Sequence, residues 1–129
     1  MDDFYRDFIL DHYRNPRNFG HLPEPDAVAE DRNPLCGDEM RVEIAVDESG
    51  NVSDIRFSGK GCAISQASAS MLLEQARGKS LEHLLALGKE SVLENVGVDI
   101  SPTRMKCAML GLSVLKSAAL AGLAKAESE

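Results

Sequence analysis

The chain has 129 residues, of which 43% are hydrophobic and 27% charged, as expected for one globular domain that buries its own core. Its net charge of −7 argues against a nucleic-acid partner, because phosphate binding requires Lys and Arg side chains. The sequence has no apolar run of about 18 residues, so we expect no membrane span. We predict one domain over residues 1–125 and a frayed tail over residues 126–129.

The N-terminal stretch "MDDFYRDF" is acidic and amphipathic, without the basic and apolar regions of a signal peptide. We therefore expect a cytoplasmic protein, in which disulfides are rare. The chain has an odd number of cysteines, which also disfavours a disulfide framework. We therefore expect metal binding or thiol chemistry, rather than disulfide formation, from Cys36, Cys62 and Cys107.

The first half of the chain predicts one helix and a small sheet. Acidic residues at the start and Pro16 just past the end bound a surface helix over residues 3–14. The stretch 40–46, "MRVEIAV", alternates like a half-buried strand, and "DESGN" predicts the hairpin turn to a strand over 52–59. A short extended segment over 27–30 is expected to pair at one edge.

The second half predicts helices. An apolar stripe after "GKGC" indicates a helix that Gly78 ends, and Ser80 caps a second, short helix. Ser101 and Pro102 open a last helix. Its predicted buried stripe comprises Met105, Ala108, Leu112, Leu115 and Ala119. We therefore predict an α+β, two-layer fold in which helices pack on one face of a small antiparallel three-stranded sheet.

Each cysteine falls near the end of a predicted element, so the three could converge at one edge of the sheet. Cys62 lies between a glycine-containing turn and a helix start, where backbone N–H groups favour a thiolate. Its alternative is a buried structural cysteine. Cys36 and Asp38, on a loop, can offer sulfur and oxygen to one ion, or Asp38 can simply cap a turn.

Cys107 follows Arg104 by three residues in the last helix, so a guanidinium there would stabilise a thiolate. The alternative is a solvated arginine beside a core cysteine. The intervals of 25 residues between Cys36 and Cys62 and of 44 between Cys62 and Cys107 are not zinc-finger spacings. We read His12 and His83 as helix-surface residues and His21 as a loop residue, all dispensable for Zn²⁺ binding.

Four blocks of the sequence resemble the U-type iron–sulfur assembly proteins, the IscU/SufU/NifU N-terminal family. They are "DHYRNPRNFG", "NPLCGDEM", "GKGCAISQASASM" and "RMKCAML", in the family's order. The resemblance implies that Cys36, Asp38, Cys62 and Cys107 gather at one tip of the fold. It further implies a cysteine desulfurase as partner, which delivers sulfur as a persulfide, and apo iron–sulfur proteins as recipients.

Two roles are compatible with this resemblance. In the first, the chain is a scaffold that accepts sulfur and iron, holds a labile 2Fe–2S cluster and releases it. In the second, it is a zinc-dependent sulfurtransferase that activates the desulfurase, with the same four residues as ligands, Cys36 as sulfur acceptor and Arg104 stabilising the rearranged site.

The sequence carries features of both branches. Lys106 stands where scaffold-type members usually have a histidine, "DISPTRMK" replaces their chaperone-binding segment, and "RMKCAML" resembles SufU. The short interval between Cys62 and Cys107 is scaffold-like, because SufU members typically carry an insertion there.

Overall fold

The computed structural model describes residues 3–33, 37–97 and 100–128, and confirms the predicted α+β architecture. Three antiparallel strands form one sheet in the order β1-β2-β3. The helices and strands are α1 (Asp3–Arg14), β1 (Ala27–Asn33), β2 (Asp38–Val46), β3 (Val52–Lys60), α2 (Ala63–Ala76), α3 (Leu81–Ala86), α4 (Lys89–Val96) and α5 (Pro102–Ser128).

The alternation in β2 sets which face of the sheet is covered. Val42 and Ile44 are fully buried on the face that the helices cover, and Ile44 lies opposite Ala27 of β1 and Ile55 of β3. The predicted hairpin turn joins β2 to β3. There the carboxylate of Asp47 accepts hydrogen bonds from the backbone N–H groups of Ser49 and Asn51.

Two helices cover that face: α5 packs on β1 and β2, and α2 packs on β3 and on α5. Between them, the Ser68 hydroxyl donates to the carbonyl oxygen of Ala108 at 2.9 Å. Both predicted serine caps are confirmed: Ser80 accepts from the His83 N–H at 3.1 Å and Ser101 from the Arg104 N–H at 3.3 Å.

Helix α4 was not among the predicted elements. It begins after Gly88, which has no side chain to cap it, and ends at Gly97 with φ +71°. A short helix without a capping side chain carries little local sequence information. Burial of Val92 and Val96 against α2 and α5 holds it in place instead.

Helix α5 is long and apolar enough over Arg104–Ala126 to cross a membrane by length and composition alone. However, 56% of its most apolar window is buried inside the fold, against the sheet and α2. This burial is what the central helix of a globular core shows.

The other face of the sheet carries a buried carboxylate, Glu43, only 2% exposed. Its oxygens accept from His21 Nδ1 at 2.6 Å, from the Leu22 N–H at 3.0 Å and from Arg41 Nε at 3.1 Å. Burial acts to raise the pKa of the Glu43 carboxyl, but these hydrogen bonds outweigh it and hold the pKa below its usual value. The network ties the segment before β1 onto the sheet.

His12 is not the surface residue that the sequence predicted, because it is only 3% exposed. Its Nδ1 lies 2.8 Å from the hydroxyl of Ser70 on α2, and its ring meets Phe8 edge to face. Burial lowers the pKa of His12. The prediction was wrong because the partner that buries this ring is 58 residues away along the chain.

Candidate metal centre

Asp38, Cys62 and Cys107 meet at one end of the sheet. Asp38 is the first residue of β2, Cys62 is the N-cap of α2, and Cys107 lies in the second turn of α5. One ligand atom from each, a carboxylate oxygen and two sulfurs, lies within 4.8 Å of the others. Three distant parts of the sequence thus form one cluster of metal-binding side chains.

The carboxylate of Asp38 is 1% exposed and only partly satisfied. Its Oδ1 accepts a hydrogen bond from the Cys62 N–H at 3.1 Å, whereas its Oδ2 has no partner in the described part of the chain. A buried carboxylate oxygen without a partner is unfavourable, and a bound cation would compensate it. Asp38 therefore suits a metal ligand: the Cys62 N–H holds its Oδ1 in place, and its Oδ2 is available to bind an ion.

Two glycines allow the end of β3 to pass beside the start of β2. Gly59 has φ +131°, and a Cβ atom there would collide with the carbonyl oxygen of Glu39. A Cβ on Gly61 would lie 2.7 Å from Asp38 Oδ1. Any side chain at position 61 would thus require the Asp38 carboxylate or the neighbouring backbone to shift.

The two described thiols differ in exposure. Cys62 is half-buried, and its side chain makes no capping hydrogen bond to the helix it opens. Cys107 is 3% exposed and so lies at the inner side of the cluster. The centre is closed towards the core and open at Cys62.

The donor set fits a thiophilic metal centre. Two cysteine sulfurs and one carboxylate oxygen are donors that zinc and iron–sulfur clusters accept in proteins, and a fourth ligand would complete a tetrahedron. Cys36, the fourth predicted ligand, lies outside the described residues, two positions before Asp38.

The remaining site predictions have different outcomes. Arg104 is exposed on α5, and its role beside the Cys107 thiolate stays a prediction. Ser65 and Gln66, two buried polar residues of α2, were not among the predicted site residues. Their helical spacing from Cys62, three and four residues, was the available indication.

Comparison with known proteins agrees with this geometry. The family model described as "NifU-like N terminal domain" matches residues 4–128. The zinc-dependent sulfurtransferase SufU of Bacillus subtilis is 38% identical over 144 residues, covering 98% of this chain and 94% of that protein. That alignment is longer than this chain, so the relative contains residues with no counterpart here.

Scaffold proteins are similar as well. The iron–sulfur cluster assembly scaffold protein IscU of Haemophilus influenzae is 34% identical over 117 residues, covering 88% of this chain and 91% of that protein. A crystal structure described as an iron–sulfur cluster assembly scaffold protein for the SUF system, from Fervidobacterium islandicum AW-1, superposes with a TM-score of 0.77. It is 27% identical and covers 88% of this chain and 94% of that one.

Proposed function

Because this chain belongs to the NifU-like N-terminal domain family, we propose that it accepts persulfide sulfur from a cysteine desulfurase for iron–sulfur cluster assembly. The proposed centre comprises Cys36, Asp38, Cys62 and Cys107. The supporting observation is the convergence of two thiols and a buried, half-satisfied carboxylate within 4.8 Å. We place the protein in the cytoplasm, with apo iron–sulfur proteins as recipients.

The proposed transfer is a thiol–disulfide type of exchange. The Cys36 thiolate attacks the outer sulfur of the desulfurase persulfide, and a new sulfur–sulfur bond forms on Cys36. The bond within the donor persulfide breaks, and its electron pair stays on the desulfurase cysteine as a thiolate. No external oxidant or reductant is needed for this step.

The scaffold role is the main form of the proposal. Iron and sulfide would be cargo at this centre, received and then passed on. Ligation by three thiolates and one carboxylate at an edge of the sheet suits release, because a fully buried four-cysteine site would hold its cluster more firmly. The half-buried position of Cys62 supports an accessible rim.

A second role, zinc-dependent sulfurtransferase, is favoured by the relative that covers 98% of this chain. The exposed Lys106 before Cys107, instead of the histidine usual in scaffold-type members, supports the same role. When bound, Zn²⁺ would keep the cysteine ligands deprotonated and ordered. Asp38 would hold it through one carboxylate oxygen, and Cys36, Cys62 and Cys107 through their sulfurs.

The experiment that tests the proposal measures alanine release by a cysteine desulfurase under anaerobic conditions. This protein is added either zinc-loaded or metal-stripped, with His83→Ala, an exposed residue on α3, as a matched control. Stimulation only by the zinc-loaded form supports the sulfurtransferase role. Little zinc dependence, with visible cluster absorbance once iron is supplied, supports the scaffold role. No stimulation and no cluster would overturn both.

A further inference from the structure

The first turn of α2 contains two buried polar groups without a hydrogen-bond partner in the described part of the chain. They are the hydroxyl of Ser65, a residue 1% exposed, and the side-chain Nε2 of Gln66, a residue 7% exposed. Buried donors in native proteins are nearly always satisfied, and an unpaired one is destabilising. Two such donors in adjacent residues therefore indicate that an acceptor is bound next to them when the protein functions.

Both residues lie beside Cys62. Ser65 and Gln66 follow this N-cap residue by three and four positions, and the Gln66 N–H donates to the Cys62 carbonyl oxygen at 3.0 Å. A Cβ placed on Gly61 would lie 3.2 Å from Ser65 Oγ and 2.7 Å from Asp38 Oδ1, so the Ser65 hydroxyl borders the cluster. The side chain of Cys62 itself makes no capping hydrogen bond.

Other buried serines of the same helix are already satisfied. The Ser68 hydroxyl donates to the carbonyl oxygen of Ala108, and the Ser70 hydroxyl pairs with His12 Nδ1 and accepts from the Arg17 N–H. The unpaired hydroxyl is thus the one of the three that is closest in sequence to Cys62 and lies beside Gly61. Burial alone does not explain it, since Ser68 and Ser70 are equally buried.

We propose that the Ser65 hydroxyl and the Gln66 side-chain amide donate hydrogen bonds to the Cys62 sulfur when the centre is loaded. The inference rests on the proposed function, because it requires a thiolate ligand at position 62. Donors at a metal-bound thiolate withdraw charge from the sulfur and fix its orientation. Cys62 then acts as the firmly held, weakly nucleophilic ligand, while Ser65 and Gln66 are positioning residues.

The test compares Ser65→Ala with the matched control Ser68→Ala in the full chain. Zinc affinity is measured by competition with a chromophoric chelator, and thermal stability is measured without metal. We expect Ser65→Ala to weaken zinc binding about tenfold, the lower end for loss of an outer-shell partner. Its metal-free stability should be unchanged or higher, because the unpaired donor is gone. Ser68→Ala should do the reverse: lower metal-free stability, with zinc affinity near that of the wild type.

A spectroscopic readout separates hydrogen bonding to sulfur from a general packing effect. In the cobalt-loaded protein, the sulfur-to-cobalt charge-transfer band should shift in Ser65→Ala and in Gln66→Met, but not in Ser68→Ala. Gln66→Met keeps the test open should Ser65→Ala fold poorly.

The inference is overturned if the wild type binds zinc and cobalt, and Ser65→Ala and Gln66→Met both leave the zinc affinity and the cobalt charge-transfer band unchanged. If the wild type binds neither metal nor cluster, the proposed centre itself fails, and the inference fails with it.

Discussion

Strand β2 carries two buried carboxylates, Asp38 and Glu43, and their surroundings are opposite. Glu43, 2% exposed, is surrounded by donors from His21, Leu22 and Arg41. Asp38, 1% exposed, has a single donor, the Cys62 N–H, and an oxygen without a partner in the described part of the chain.

The contrast separates a residue that stabilises the fold from one available for binding. A buried charge is tolerated when hydrogen bonds replace the water it has lost, and Glu43 meets that condition within the chain. Asp38 meets it only in part, and it is the carboxylate that lies beside two thiols. The centre is thus distinguished by a buried carboxylate, that of Asp38, whose hydrogen bonds are incomplete.

The largest effect on the fold is expected from Glu43→Ala. Loss of the acceptor removes three hydrogen bonds and leaves the Leu22 N–H without its partner, at a cost of about 3 kcal/mol in the free energy of unfolding. Urea denaturation of the metal-free protein measures this change. Zinc affinity should stay as in the wild type, and a parallel loss of zinc binding would show that the two carboxylates are not separate in function.

Asp38→Ala should show the opposite pattern. It removes a proposed ligand and an incompletely paired buried charge, so metal-free stability should be retained while zinc affinity falls at least about tenfold. Chelator competition and thermal unfolding measure the two quantities. Unchanged zinc affinity would remove Asp38 from the centre.

Acidification of the metal-free protein should reveal the contribution of the Glu43 network to stability. The pKa of Glu43 is lowered on folding, so its stabilisation is full above the ordinary value of 4.5 and is lost as the pH falls through the lower folded pKa. The stability difference between the wild type and Glu43→Gln should therefore shrink between pH 7 and about pH 3. Urea denaturation at both pH values checks this, and a constant difference would contradict it.

The smallest effects on metal binding are expected at the histidines. His83 is exposed, and His21 and His12 are engaged with Glu43 and Ser70. Replacing each by alanine should leave zinc affinity unchanged, although His12→Ala should lower stability because it leaves a cavity beside Ser70. A drop in zinc affinity in any of the three variants would place that histidine at the centre.

Local sequence patterns were enough to predict most of the fold. Neighbouring residues determine three of the predicted features: the alternation of Val42 and Ile44, the caps at Ser80 and Ser101, and the turn at Asp47. Helix α4, which has no capping side chain, could not be predicted on that basis. It depends on burial against α2 and α5.

Contacts distant in sequence account for the remaining differences. The burial of Glu43 depends on Leu22, 21 residues earlier, and that of His12 on Ser70, 58 residues later. At the centre, the residue types and the resemblance indicated Asp38, Cys62 and Cys107 together. The unpaired state of Asp38 Oδ2 and of the Ser65 hydroxyl became visible only in three dimensions.

The most direct test of the account is transfer of labelled sulfur from a desulfurase persulfide to this protein, followed by mass spectrometry of its cysteine-containing peptides. We predict that Cys36 carries the added sulfur in the wild type and that Cys36→Ser, while remaining folded, accepts none. Label arriving on Cys62 or Cys107 at the normal rate in Cys36→Ser would contradict the choice of acceptor. No label on the wild type would contradict the proposed function.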